Sequence, residues 1–385
     1  MNNVKVFQTT PRVTVGPGSL NLIGDEVKRI GGRKVMIITD PGLVQTGIVD
    51  GLEKLLGDSG AAFSRFDEVE ADPRYEIASQ AAKSAKNAGA DLIIGIGGGS
   101  PLDIAKVASI AVTNSQPTNT FFGIDLVPKR GLPLILVPTT AGTGSEVTPI
   151  AILSDYNEKL KKGIVSQYLL PAVAILDPEL TLGLPANLTA ATGMDALIHA
   201  IEAFTSKNAY RITDMLALQA MDLISRNIRT VFTNGSDLTA RAGMLEGSLL
   251  AGMAFANAGV TAVHAFAYPI GAEFHIPHGV ANSIMLTPVM EFNIPGNLWK
   301  FRRIAEVLGE NVKDLSEREA AQRSVNALRA LVTDLKVPQR LSEFGVKEQH
   351  IPALAEGVMK VTRLLANNPR ELTLTDAEDI YRRVL

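Results

Sequence analysis

Five histidines serve 385 residues, and four of them, His199, His264, His275 and His278, fall between positions 199 and 278. Asp195 and His199 stand four apart in Gly193-Met-Asp195-Ala-Leu-Ile-His199-Ala-Ile-Glu202. On a helix that spacing sets a carboxylate and an imidazole side by side on one face, a donor pair for a hard-to-borderline divalent cation. His264 follows in a stretch of helical spacing, and His275 and His278 flank a break at Phe274-His275-Ile-Pro277-His278-Gly279. The chain has no cysteine. An aspartate with several neutral imidazoles and no sulfur suits Fe(II) or Zn(II) and leaves a position for a substrate oxygen. A lone Asp-x-x-x-His is more often a surface pair, so it is the crowding of imidazoles in a histidine-poor chain that favours a cation. Glu202 reads either as a group that orients His199 or as ordinary surface. His350, in a polar stretch, reads as solvated.

A second chemistry is suggested by Asp91-Leu-Ile-Ile-Gly95-Ile-Gly97-Gly98-Gly99-Ser100-Pro101-Leu102-Asp103. An apolar strand runs into glycines, and Ser100-Pro101 then opens a helix. Glycines let the backbone approach a bulky anion, and free N–H groups at the helix start point towards it. The spelling G-x-G-x-x-S is not the full dinucleotide fingerprint, and it does not occupy the first strand–helix unit. Nor does it end in Gly-Lys-Ser/Thr, which argues against a nucleoside triphosphatase loop. The plainer reading is a tight turn. A further loop, Pro138-Thr139-Thr140-Ala141-Gly142-Thr143-Gly144-Ser145-Glu146, offers hydroxyls to a ribose, phosphate or carboxamide. Asp40, in Thr39-Asp40-Pro41-Gly42, fits a ribose-binding carboxylate and a simple turn equally well.

These groups need elements to hold them. Up to about Leu180, strands are expected at 34–38, 62–66, 92–96, 134–137 and 173–176, alternating with helical segments such as 76–88 and 102–111. That alternation predicts a parallel sheet covered on both faces. Beyond Leu184-Pro185 the β-rich runs stop, and segments such as 191–205, 213–228 and 241–256 have helical spacing. The one marked interruption is Tyr268 to Pro277, with Pro269, Gly271 and Pro277. The expectation is therefore an α/β domain at 1–184 and an all-α domain at 185–385, packed with a cleft between them. Hydrophobic residues at 46% and charged residues at 20% provide a full core and exclude a disordered tail protein. A formal charge of −3 gives no basic field for nucleic acid. Apolar runs such as 134–137 are too short for a bilayer, and the N-terminus lacks a signal-peptide pattern, so a cytoplasmic protein without membrane or nucleic-acid partners is expected.

Taken together these stretches resemble the iron-dependent (group III) alcohol dehydrogenase family. The matching pieces are Thr39-Asp40, Gly97-Gly98-Gly99-Ser100-x-x-Asp103, Pro138 to Glu146 and Gly193 to Glu202. They continue with His264 to Gly279 and with Asn367-Asn368-Pro369-Arg370. They run in order over essentially the whole chain. The resemblance implies a dinucleotide-binding domain followed by a helical metal and substrate domain, with the metal in the cleft. It implies that Asp195, His199, His264 and His278 bind Fe(II), with Zn(II) as the alternative ion. It also implies that NAD is held by Asp40, Gly97, Gly98, Gly99, Ser100, Asp103, Thr139, Thr140 and Thr143. Lys161 or Lys162 lies near a coenzyme-contacting lysine. Two departures stand out. Tyr268 replaces a histidine linked to proton relay, which leaves Tyr268, His275 or water to handle the proton, and Asp72-Pro73 replaces Asn-Pro. The implied activity is NAD-dependent oxidation of small primary alcohols or diols, or the reverse reduction of aldehydes, by a homodimer or larger homo-oligomer. The rivals are a zinc-dependent, glycerol-type polyol dehydrogenase and a metal-dependent lyase of the dehydroquinate synthase type.

Overall fold

Runs of aliphatic and β-branched residues form strands β1 (Val13–Val15), β2 (Lys34–Ile38), β3 (Ala62–Phe66), β4 (Leu92–Gly97) and β5 (Gly123–Ile124). They continue with β6 (Leu134–Pro138), β7 (Ile150–Asp155), β8 (Leu160–Val165) and β9 (Val173–Leu176). The structure, a computed structural model, describes residues 4–156 and 160–385. Six strands make a wholly parallel sheet in the order β1-β9-β6-β4-β2-β3. Every residue of β4, β6 and β9 is buried, as a parallel sheet covered on both faces requires. Side chains alternate between two cores. Met36, Ile38, Ile93, Leu134 and Leu136 meet Ala78 and Ala81 of helix Tyr75–Ala88 and Ile104 of helix Gly99–Thr113. Val35, Ile37, Ile94, Ile135 and Ile175 face the other way, onto Val27, Leu52 and Leu56. Edge strand β3 is exposed at four of its five residues.

The expected strands are thus present within a residue or so, and helix Gly99–Thr113 starts ahead of Ser100-Pro101. The three-stranded sheet β5-β8-β7 has no counterpart in the sequence expectations. Strand β5 is two residues long and β8 opens Leu-Lys-Lys-Gly, so neither shows apolar alternation.

From β2 the chain crosses outward to edge strand β3 and returns to place β4 on the opposite side of β2. The loops leaving the carboxyl ends of β2 and β4 therefore diverge at a switch point, the usual ligand position of an open parallel sheet.

By its contacts the chain divides into a unit of Gln8–Leu184 and a unit of Pro185–Leu385 that also takes in the stretch up to Phe7. The α/β unit therefore begins at Gln8 rather than at residue 1, and Val6 instead accepts a hydrogen bond from Tyr210 Oη at 3.3 Å. The second unit contains helices Ala186–Thr205, Arg211–Thr233, Leu238–Ala258, Ala262–Phe274 and His278–Asn293, and its described residues form no strand. Among the described residues, no single helix is long and apolar enough to cross a membrane.

The interruption expected at Tyr268 to Pro277 shrinks to three residues, because helix Ala262–Phe274 runs through Pro269 and Gly271. Proline removes a donor and disturbs carbonyls in the preceding turn. Here the buried Tyr381 phenol donates to the Phe266 carbonyl at 2.8 Å. Replacing Tyr381 by Phe removes this buried hydrogen bond from a carbonyl that the helix itself also serves, and is expected to cost about 0.5–1.5 kcal/mol. A urea titration that shows an unchanged midpoint would contradict this account.

Candidate functional site

Asp195 lies in the middle of helix Ala186–Thr205 and is 3% exposed. Its Oδ1 is 3.8 Å from His264 Nε2 and 3.7 Å from His278 Nε2, and its Oδ2 is 4.0 Å from His199 Nδ1. Ligand-capable atoms of Asp195, His199 and His264 lie within 4.8 Å of one another, and all three residues are buried. Donors each about 2.1 Å from a shared ion stand roughly 3–4 Å apart, so this spacing suits a cation. The rings of His199 and His264 stack with centroids 4.7 Å apart, and His199 also stacks on Phe255. His264 Nε2 is buried without a hydrogen-bond partner, although its Nδ1 is bonded to Glu202. An orphaned imidazole nitrogen aimed at a carboxylate fits a missing positive charge, and the donor set therefore fits a divalent metal ion.

His278 comes to the group on a different helix. Its Nε2 reaches Asp195, but it also lies 3.1 Å from Asn282 Nδ2, and its side chain is 32% exposed. Helix contact makes this approach possible. A Cβ on Gly279 would run into the Ala191 carbonyl, so backbone meets backbone there and only glycine fits.

Glu202 is fully buried and holds His264, not His199. Its Oε1 accepts from Thr261 Oγ1 at 2.5 Å and from the Val263 N–H at 2.7 Å, at the start of helix Ala262–Phe274. A carboxylate bonded to the far nitrogen of a metal-type histidine fixes its ring and tautomer. The motif Asn367-Asn368 supports the same turn from outside: Asn367 Nδ2 donates to Val260 O, and Asn368 Oδ1 accepts from the Ala262 N–H. Burial works to raise the pKa of Asp195 and of Glu202, but the facing imidazoles bring both below the ordinary carboxylate range. Burial works to lower that of His264, yet Glu202 and Asp195 raise it above the ordinary imidazole value.

In the α/β unit, three loops meet at the carboxyl ends of β2, β4 and β6. Asp40 Oδ1 caps the short helix Pro41–Val44 by accepting from the Leu43 N–H at 2.9 Å. Its Oδ2 lies 3.3 Å from where a Cβ on Gly97 would sit. Gly97 has φ +145, a conformation glycine alone tolerates well, and its carbonyl accepts from the Thr139 N–H at 2.9 Å. Cβ atoms on Gly98 and Gly99 would meet Thr140 and Thr143, so the two loops share a cradle that side chains would fill. Helix Gly99–Thr113 has Gly98 as its N-cap and no side-chain cap, leaving first-turn N–H groups for a ligand anion. Ser100 lies in that turn. This arrangement fits a dinucleotide pyrophosphate. Asp103 is placed differently. Its two oxygens take Ser145 Oγ at 2.5 Å and the Ile152 N–H at 2.8 Å, and buried Lys106 lies 3.8 Å away. It braces the second loop from within the protein. Burial drives the Lys106 ammonium down to about 8.

Comparison with known proteins bears on all of these groups at once. The family description "Iron-containing alcohol dehydrogenase" fits residues 10–178, and its companion "Fe-containing alcohol dehydrogenase family, C-terminal" fits residues 189–385. The chain is 42% identical to long-chain-alcohol dehydrogenase 1 of Geobacillus thermodenitrificans, over 96% of this chain and 94% of that one. The chain belongs to the iron-containing alcohol dehydrogenase family. As an oxidoreductase of that family, it is 36% identical to the NAD-dependent methanol dehydrogenase of Bacillus methanolicus, over 98% of this chain and 99% of that one. It superimposes on a crystal structure of 1,3-propanediol oxidoreductase with TM-score 0.97 and 39% identity, covering 100% of both chains.

The two departures of this chain from the family pattern have definite places. The Tyr268 ring is 6.1 Å from the His278 ring. His275 is exposed and ends its helix in a left-handed conformation, φ +54. Asp72 pairs with Lys161 at 2.6 Å, while Lys162 pairs with Asp155 at 2.9 Å. Asn282 and Thr261 were not singled out by sequence. Asn282 stands four residues after His278 and so on its face of the helix, a spacing that could have marked it.

Because His264 binds its proton more tightly than a free imidazole, a cation must displace that proton. Cation affinity should therefore fall as the pH drops through the raised His264 pKa, beginning above the ordinary imidazole range. Competition titrations of cobalt(II) against a chelator, from mildly alkaline to mildly acidic buffer, test this, and a flat profile would refute it.

Proposed function

We propose that this chain is an NAD-dependent alcohol dehydrogenase and aldehyde reductase that uses Fe(II), or Zn(II) in its place, on small primary alcohols or diols. The observation that carries the reading is the buried meeting of Asp195, His199 and His264 with an unpaired Nε2. The helical unit is then the metal and substrate domain, and the α/β unit the coenzyme domain. The cysteine-free sequence suits the cytoplasm, and large apolar side chains left in solvent, such as Met215 and Trp299, suit a homo-oligomer.

When bound, the cation supplies Lewis acidity to the alcohol oxygen and the nicotinamide coenzyme supplies the hydride acceptor. The chain's own groups do the rest. Asp195, His199, His264 and His278 hold the ion, and Glu202 keeps the proton on His264 Nδ1 so that Nε2 is free to donate its lone pair. The N–H groups of Gly99 and Ser100 receive the pyrophosphate at the helix start. Asp40 Oδ2 accepts from ribose hydroxyls and repels a 2′-phosphate. Hydroxyls of Thr139, Thr140 and Thr143 orient the nicotinamide end. Tyr268 Oη, rather than exposed His275, passes the alcohol's proton outward, a role supported by the nearness of its ring to His278.

A panel of small alcohols, diols and aldehydes, run with protein of known metal content, should give turnover with NAD that exceeds turnover with NADP. Activity should be lost on chelation and restored by ferrous ion. Undiminished turnover in metal-free protein would end the proposal. Replacing Tyr268 by Phe should lower turnover about 10²-fold and alter its pH profile, while His275→Ala leaves both unchanged. The reverse pattern would move the proton route to His275, and no change in either would leave it to water.

A further inference from the structure

Asn282 is fully buried on helix His278–Asn293, one turn beyond His278. Its Nδ2 donates to Asp195 Oδ1 at 2.8 Å and lies 3.1 Å from His278 Nε2. Its Oδ1 is buried with no hydrogen-bond partner. A carboxamide with half its capacity idle is a costly way to fill apolar space, since an aliphatic side chain has no polar atom to satisfy. What the amide contributes lies on its N–H side. Among the described residues, Asn282 gives Asp195 its one side-chain hydrogen bond.

A neutral imidazole nitrogen has a single lone pair in the ring plane. His278 Nε2 can accept the Asn282 N–H or donate to a cation, but it cannot do both. A carboxylate oxygen has two lone pairs, so Asp195 Oδ1 can keep the amide and still serve an ion. Asp195 forms the close group with His199 and His264, and His278, bonded to Asn282, stands beside it at 3.7 Å from Asp195 Oδ1.

We propose that Asn282 is a positioning residue of the metal centre, fixing the Asp195 carboxylate through one N–H and holding His278 beside the site until the ion takes it. The inference rests on the reading of Asp195, His199, His264 and His278 as cation ligands. It acts on the assembly of the ligand set and involves no contact between Asn282 and the substrate.

The test compares the full-length chain with Asn282→Leu by titrating cobalt(II) against a chromophoric chelator, and follows the visible spectrum of the bound ion. Thermal unfolding of the metal-free proteins is measured in parallel. Asn282→Leu should bind cobalt(II) about 10–100-fold more weakly, the loss usual for groups that orient ligands. Its metal-free unfolding midpoint should change little, because loss of an unpaired buried carbonyl offsets the lost donor to Asp195 and the added bulk. Asn282→Ser, smaller and still a donor, should lose less affinity, and it serves as the readout if the leucine variant does not fold. Equal cobalt affinity in wild type and variants would overturn the inference while leaving the metal site intact. Loss of affinity that merely tracks a lower metal-free midpoint would also overturn it, since a scaffold residue behaves that way. Failure of the wild-type chain to bind cobalt(II) would remove the metal reading and this inference with it.

Discussion

Two carboxylates seven residues apart on one buried helix set the terms for the helical unit. Asp195 is 3% exposed and Glu202 not at all, and anions withdrawn from water to that extent need compensating charge or several hydrogen bonds. His264 stands between them, with Nδ1 on Glu202 and Nε2 towards Asp195. Its raised affinity for a proton shows how strongly the pocket calls for positive charge, and a cation answers the same demand with more. The rest of the unit can be read as what keeps these groups in register. Gly279 lets two helices touch backbone to backbone, Thr261 and Val263 fill Glu202, and Asn367 and Asn368 tie down the turn that carries them.

The α/β unit inverts this arrangement. There the proposed ligand would bring the negative charge, and the protein offers a helix start with bare N–H groups and glycines that keep side chains out of the way. The position of that helix follows from strand order, because β2 and β4 are neighbours whose following segments turn in opposite directions. Asp103, Lys106 and Ser145 then lock the threonine loop to the same helix from the inside.

How far the sequence could be read depended on how local each signal was. The parallel sheet was legible because strands buried on both faces are unbroken aliphatic runs, as in Leu134 to Val137. The Asp195 and His199 pair was legible because four residues make one helical turn. Glu202 was visible but read either as orienting His199 or as surface, since its partner His264 lies 62 residues away and helix spacing is blind to such a contact. Asp103 belonged to a recognised motif, yet which atoms its oxygens meet depends on loops at Ser145 and Ile152. Strands β5 and β8 escaped because two residues and a lysine-rich opening carry no period. Pro269 suggested a break, yet the helix continues through it to Phe274.

The double duty of Asp40 bears on engineering. One oxygen starts helix Pro41–Val44 and the other faces Gly97, so the nucleotide choice proposed for Asp40 would share a side chain with local folding. Redesign towards a phosphorylated ribose through glycine or alanine would discard the acceptor that begins the helix together with the charge. Asparagine or serine keeps an oxygen for the Leu43 amide while removing the negative charge, and these are the residues helix starts accept most readily. Selectivity at this corner can therefore drift along a narrow set of polar substitutions without loosening the turn beneath it.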